Sequence, residues 1–102
     1  MVSEVAQKVE DLIDQNMVVV FSKSYCPYCK KAVETLAQSG VSSPKVIQLD
    51  EVSDGESQHE YLKEKTQQRT VPSIFINKKH IGGNSDLQEL KSNGELDKLL
   101  KN

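Results

Sequence analysis

Met17-Val18-Val19-Val20-Phe21, followed after four residues by Cys26-Pro27-Tyr28-Cys29, decides how this 102-residue chain is read. The first segment is an apolar, β-branched run with the length of a buried strand. Beyond the second, Cys29, Val33, Leu36 and Ala37 fall at i, i+4, i+7 and i+8, the stripe of an amphipathic helix that Gly40 can close. The two sulfurs therefore take unequal positions. Cys29 lies on the stripe that faces a core, whereas Cys26 sits beyond the helix start, where free backbone N–H groups point outward, and is expected to be presented to solvent.

A helix N-terminus carries roughly +0.5 charge and favours a thiolate over a thiol. Between Gln15 and Val33 there is no acid, yet Lys23, Lys30 and Lys31 are there, in a chain whose formal net charge is −2. A readily ionised thiol is above all a good leaving group, which suits a sulfur that is loaded and unloaded repeatedly as a mixed disulfide. Two cysteines at this spacing also fit half of a zinc site, but no second Cys-x-x-Cys exists and His59 and His80 would have to complete it. A structural disulfide across so short a loop would constrain little of the unfolded chain. Thiol–disulfide exchange is the reading these residues favour, with no metal expected.

The rest of the composition bounds the setting. A chain of this length makes one domain, residues 1–102, and can bury about two-thirds of its unfolded surface. Its 36% hydrophobic and 27% charged residues are ordinary for a soluble protein, and no apolar run approaches the ~20 residues of a membrane span. Met1 to Ala6 carries an acid and neither a basic nor an apolar signal region, so a cytoplasmic location is expected. A pI near 5.7 argues against nucleic acid as a partner.

Outward from the opening stretch, Ser3 can cap a first helix with Val5, Val9, Leu12 and Ile13 as its buried stripe and Asn16 as its stop. Lys45-Val46-Ile47-Gln48-Leu49 reads as a second strand, so the first half is a βαβ unit with parallel strands. Ser53 and Glu56 have capping-box spacing for a third helix reaching about Thr66, on which His59 is a polar surface residue. Ser73-Ile74-Phe75-Ile76 and Lys79-His80-Ile81 make a hairpin about Asn77-Lys78, with His80 exposed. Ser85-Asp86-Leu87-Gln88 reads as a capping box for a further helix ended by Asn93-Gly94, and Leu96, Leu99 and Leu100 give a last short helix its docking face. The order α-βαβα-ββ-αα predicts an α/β fold, a four-stranded mixed sheet with helices on both faces. Open α/β sheets bind ligands beyond strand ends, which is where Cys26 falls.

Three blocks together carry a family resemblance: Lys23-Ser24-Tyr25-Cys26-Pro27-Tyr28-Cys29, Arg69-Thr70-Val71-Pro72, and His80-Ile81-Gly82-Gly83-Asn84-Ser85-Asp86-Leu87. In this order and at these distances the chain resembles a dithiol glutaredoxin of the thioredoxin-fold superfamily. The resemblance implies reduction of protein–glutathione mixed disulfides and of protein disulfides, with Cys26 and Cys29 catalytic. Glutathione would serve as reductant, regenerated by the glutathione reductase system. It further implies a monomer that acts on glutathionylated and disulfide-containing proteins. By the same resemblance, Lys23 meets the glycine carboxylate of glutathione and Tyr28 lines the groove beside the sulfur. Thr70 and Val71 precede a cis Pro72, and Val71 offers its backbone to the cysteinyl unit as a short β-augmentation. Ser85 and Asp86 take the γ-glutamyl end, where helix N–H groups suit a carboxylate and the Asp86 carboxylate suits the ammonium. Many relatives have Ile-Gln where this chain has Gln58-His59, which leaves one carboxylate contact open among Gln58, His59, Gln68 and Arg69.

Some members of the wider family instead hold a [2Fe–2S] cluster in a dimer, with one cysteine and one glutathione from each chain, chiefly where the motif is Cys-Gly-Phe-Ser. Pro27 and Cys29 here favour catalysis. A thioredoxin is a weaker alternative, since no Trp stands beside the cysteines.

Overall fold

Val18–Ser22 forms the central strand, and all five of its residues are buried. In the computed structural model, which describes residues 3–101, nine elements follow the expected order. They are α1 (Glu4–Gln15), β1 (Val18–Ser22), α2 (Pro27–Gln38), β2 (Lys45–Gln48), α3 (Gly55–Thr66), β3 (Ser73–Ile76), β4 (Lys79–Gly82), α4 (Asn84–Ser92) and α5 (Glu95–Leu100). The sheet order is β2-β1-β3-β4, with β1 parallel to β2 and antiparallel to β3, and β3 antiparallel to β4.

Because side chains alternate across a strand, β1 feeds two cores. Val18 and Val20 join Ala32, Leu36, Ile74, Ile76, Leu87 and Leu96, which packs α2, α4 and α5 on one face. Val19 and Phe21 join Val9, Ile13, Leu62 and Phe75, which packs α1 and α3 on the other. Phe21 and Phe75 meet edge to face with centroids 5.9 Å apart, the arrangement their quadrupoles favour. This is the thioredoxin fold, with helices on both faces of a mixed sheet. Among the described residues no helix is long and apolar enough to cross a membrane.

Several expected boundaries shift, each for a local reason. Met17 stands outside β1 and is 42% exposed. On α2 the buried stripe is Cys29, Ala32, Thr35 and Leu36, while Val33 is half-buried and Ala37 exposed, so the helix is rolled toward its smaller residues. The Ser53–Glu56 capping box does not form. Asp54 is the residue before α3, and its carboxylate is taken by Lys8 and Gln58. Gly55 then starts the helix against the end of β2, so close that a Cβ there would lie 1.6 Å from the Leu49 carbonyl oxygen. The helix after the hairpin begins two residues earlier than the Ser85 box predicts. Gly83 is its cap, Asp86 accepts the Gly83 N–H at 2.9 Å, and Gln88 bonds Thr35 and Asn84 instead.

Candidate active site

The end of β1 is tied to the end of β2 before it reaches the cysteines. Leu49 N–H donates to the Ser22 carbonyl at 2.8 Å. Just beyond, Asp50 accepts the Ser24 N–H at 2.9 Å and also the Ser24 hydroxyl. Those Ser24 bonds, with the Lys23 charge contributing less, hold the Asp50 carboxyl below its ordinary range. The chain then turns, Cys26 N–H donating to the Lys23 carbonyl at 3.0 Å, and Pro27 opens α2. A proline there lacks only an N–H that the helix would leave unpaired anyway.

Cys26 is the N-cap of α2, and its sulfur accepts the Cys29 N–H at 3.2 Å. On its other side it lies 3.9 Å from the Val71 carbonyl oxygen. With its sulfur between these two backbone groups, Cys26 is only 9% exposed, so the expectation that it is presented to solvent is corrected. The side chain folds back over the helix start instead of projecting from it. The order of access still holds, because Cys29 is 1% exposed. Burial pushes the Cys29 thiol up, and the neighbouring Cys26 sulfur adds to the effect. One sulfur thus faces a helix N–H at the rim of the protein, and the other is kept as a thiol beneath it.

From Tyr28 and Val71 a groove of about 720 Å³ runs to the start of α4. Tyr28, Thr70, Val71, Pro72, Ser85 and Asp86 all line it, and the Val71–Pro72 bond is cis. Among the described residues the Val71 N–H has no hydrogen-bond acceptor. Lys23 does not line this groove. It is half-buried ahead of the turn that leads to Cys26, and its charge is felt by Asp50 and by His59, whose ring meets the Arg69 carbonyl next to Thr70.

The four side chains left open by the sequence separate clearly. Gln58 is 1% exposed and donates to Asp54 at 2.9 Å, which removes it from any surface site. His59 Nε2 lies 3.0 Å from the Arg69 carbonyl; since a carbonyl only accepts, Nε2 carries the proton. Its burial, then the Lys23 charge, hold the His59 ring below its ordinary pKa and so neutral. Gln68 turns its amide onto the Thr70 and Pro72 carbonyls, both at 2.8 Å. The Arg69 side chain is exposed beside Thr70. His80, read from the sequence as a surface residue, lies 2.9 Å from Gln68 Oε1 and lines the groove. The sequence carried no signal for that pairing, because it depends on the loop before β3 folding back on β4.

A family model described as Glutaredoxin matches residues 18–81. Glutaredoxin-1 of Rhizophagus irregularis is 51% identical over 98 residues, which are 96% of each chain. Among solved structures, the holo form of glutaredoxin C1 from Populus tremula x tremuloides is 40% identical with a TM-score of 0.92, covering 97% of both chains. The buckwheat glutaredoxin–glutathione complex is 40% identical with a TM-score of 0.91, covering 95% of this chain and 87% of the other.

Proposed function

This chain belongs to the glutaredoxin family, and on that premise we propose that it releases glutathione from protein–glutathione mixed disulfides and also reduces protein disulfides. As a member it is a glutathione-dependent thiol–disulfide oxidoreductase. The observation that carries the finer reading is a single alignment: the Cys26 sulfur, met by the Cys29 N–H, faces Val71 at the mouth of a groove that ends on a helix start.

The Cys26 thiolate attacks the glutathione sulfur of the mixed disulfide. A Cys26–glutathione disulfide forms, the original S–S bond breaks, and the substrate protein leaves as a thiolate that takes a proton from water. A second glutathione, as thiolate, attacks the glutathione sulfur held on Cys26. Glutathione disulfide leaves and the Cys26 thiolate returns. For a protein disulfide, the first attack leaves the substrate on Cys26. Cys29 then loses its proton and displaces it, forming a Cys26–Cys29 bridge that two glutathiones reduce in turn. The raised Cys29 thiol suits this order, since it stays protonated until Cys26 becomes an electrophile beside it.

Glutathione is seated by its own charges. The Val71 N–H and C=O pair with the cysteinyl unit, Tyr28, Thr70 and Pro72 wall it, and the first turn of α4 at Ser85 and Asp86 takes the γ-glutamyl carboxylate and ammonium. Lys23 takes the glycine carboxylate. Neutral His59 offers only the lone pair of Nδ1 on its free side, so it gives that carboxylate no donor. The protein acts in the cytosol as a monomer on glutathionylated and disulfide-bonded partners. Turnover of a glutathionylated peptide with glutathione, NADPH and glutathione reductase tests the reading directly. NADPH consumption that requires this protein is the result expected, and none above the uncatalysed rate refutes it.

A further inference from the structure

Gln68 is bonded in three directions at once. Its Nε2 donates to the Thr70 and Pro72 carbonyls, both at 2.8 Å, and its Oε1 lies 2.9 Å from His80 Nε2. Each bond fixes the next. Two carbonyls can only accept, so the amide nitrogen must face them and the amide oxygen must face His80. That oxygen can only accept in turn, so His80 carries its proton on Nε2. The imidazole is steadied from behind by Phe75, with ring centroids 5.2 Å apart. His80 also feels the charge of Asp86 across the groove, and burial is the largest influence on the ring, holding it below its ordinary pKa and neutral.

The two carbonyls that Gln68 grips flank Val71, the residue whose carbonyl lies 3.9 Å from the Cys26 sulfur. A clamp on both neighbours sets the direction of the peptide groups between them. We propose that Gln68, held in register by His80, is a positioning residue that aims the Val71 backbone at the cysteinyl unit of glutathione. The inference rests on the reading of the groove given above and deepens it. Neither side chain touches the reacting sulfurs. Their contribution is to binding, because an edge that is already ordered loses less freedom when a peptide pairs with it.

Gln68→Glu tests this with almost no change of shape. The carboxylate still accepts from His80 but presents an oxygen to the Thr70 and Pro72 carbonyls, so two hydrogen bonds become two repulsions. His80→Phe is the milder second variant, keeping a ring against Phe75 at an exposed position while removing the N–H. Steady-state turnover of a glutathionylated peptide should show KM raised about tenfold in Gln68→Glu and about threefold in His80→Phe, with kcat within about twofold. The pre-reduced proteins should react with an aromatic disulfide that has no peptide backbone, such as dithiobis(nitrobenzoate), at the wild-type rate within about twofold. Unchanged KM in both variants overturns the inference, and so does a parallel loss toward the aromatic disulfide, which would mark general damage to Cys26. If the wild type itself fails to turn over the glutathionylated peptide, the reading of the groove falls and this inference with it. A wild type that turns over normally, beside indifferent variants, condemns the clamp alone.

Discussion

At the scale of single residues, two sulfurs of the same chemical type are made different by one helix N–H and by depth of burial. Cys26 receives a helix N–H, while Cys29 lies beneath it with its thiol pushed up by burial. Replacing Cys26 by Ser should abolish glutathione-coupled turnover of both substrate types, whereas Cys29→Ser should retain deglutathionylation and lose most of the dithiol reaction. Equal loss in the two variants would contradict the assigned roles. Asp50 belongs to the same scale although it lies 24 positions along the chain. It holds the Ser24 N–H and hydroxyl, and so fixes the turn that sets the Cys26 sulfur over α2. Asp50→Ala should leave the melting temperature within a few degrees, because the side chain is at the surface, yet slow alkylation of Cys26 by iodoacetamide several-fold at pH 7. An unchanged alkylation rate would show that the turn holds itself. Asp50 was illegible in the sequence, where it reads as part of an acidic loop after a strand.

At the scale of elements, what the chain announced was periodicity, and what it hid was chemistry between segments. The apolar run of β1, the spacing on α1 and the Asn77-Lys78 turn are local signals, and the structure has all three elements. Caps misled, because Ser53 and Ser85 have the right spacing while Asp54 and Gly83 have the tertiary neighbours. Of the residues expected to hold glutathione, six share one groove through neighbours in space, while Lys23, three residues before Cys26, lies outside its lining near Asp50 and His59. The hairpin yields a prediction of its own. Asn77 and Lys78 have φ of 49° and 70°, a pair of left-handed residues such as a two-residue turn of the favoured hand requires. Asn tolerates this region and Lys does so at a cost, so Lys78→Gly should stabilise the protein by about 0.5–1 kcal/mol. Differential scanning calorimetry would register a rise of several degrees, and a fall would show that the Lys78 side chain contributes more than its backbone costs. Beyond the hairpin, Gly82 has φ +121°, and a Cβ there would meet Asp86 Oδ2 at 2.3 Å. Gly82→Ala should therefore lower the melting point and weaken glutathione turnover together, whereas Asp86→Asn, which can still accept from Gly83, should affect turnover alone.

At the scale of the whole molecule, the two-faced sheet was legible because β1 is apolar at four successive positions, Val18 to Phe21, as a strand covered on both sides is. The contact that locks the α1–α3 layer was not. Tyr61 on α3 donates its hydroxyl to Glu10 on α1, and Lys65 completes the cluster with an ion pair to Glu10 at 2.8 Å. The Glu10 bond, then burial, push the Tyr61 phenol up from its ordinary 10.0 to about 12. Burial alone would raise the Glu10 carboxyl, but Lys65 and Tyr61 outweigh it and hold it low. The consequences for stability have opposite signs at the two ends of the pH scale. A phenol whose folded pKa exceeds its unfolded one keeps its proton where the unfolded chain has lost it. The Tyr61 contribution is therefore complete below pH 10 and disappears as pH rises toward 12. A carboxyl held low contributes above its ordinary value of 4.5 and loses that contribution as pH falls below it. His59 and His80, both lowered chiefly by burial, add to the acid side: their contribution is present above pH 6.5 and is lost as pH falls below it, because the unfolded chain takes up their protons first. Tyr61→Phe isolates the alkaline arm. At pH 8 the variant should melt below wild type by about 4–8 °C, the equivalent of about 1 kcal/mol for one hydrogen bond to a charged acceptor at a partly solvated site. Between pH 10 and 12 the gap should close, since the wild type loses what the variant never had. A gap that stays constant across that interval would mean that the Tyr61–Glu10 bond does not govern the phenol.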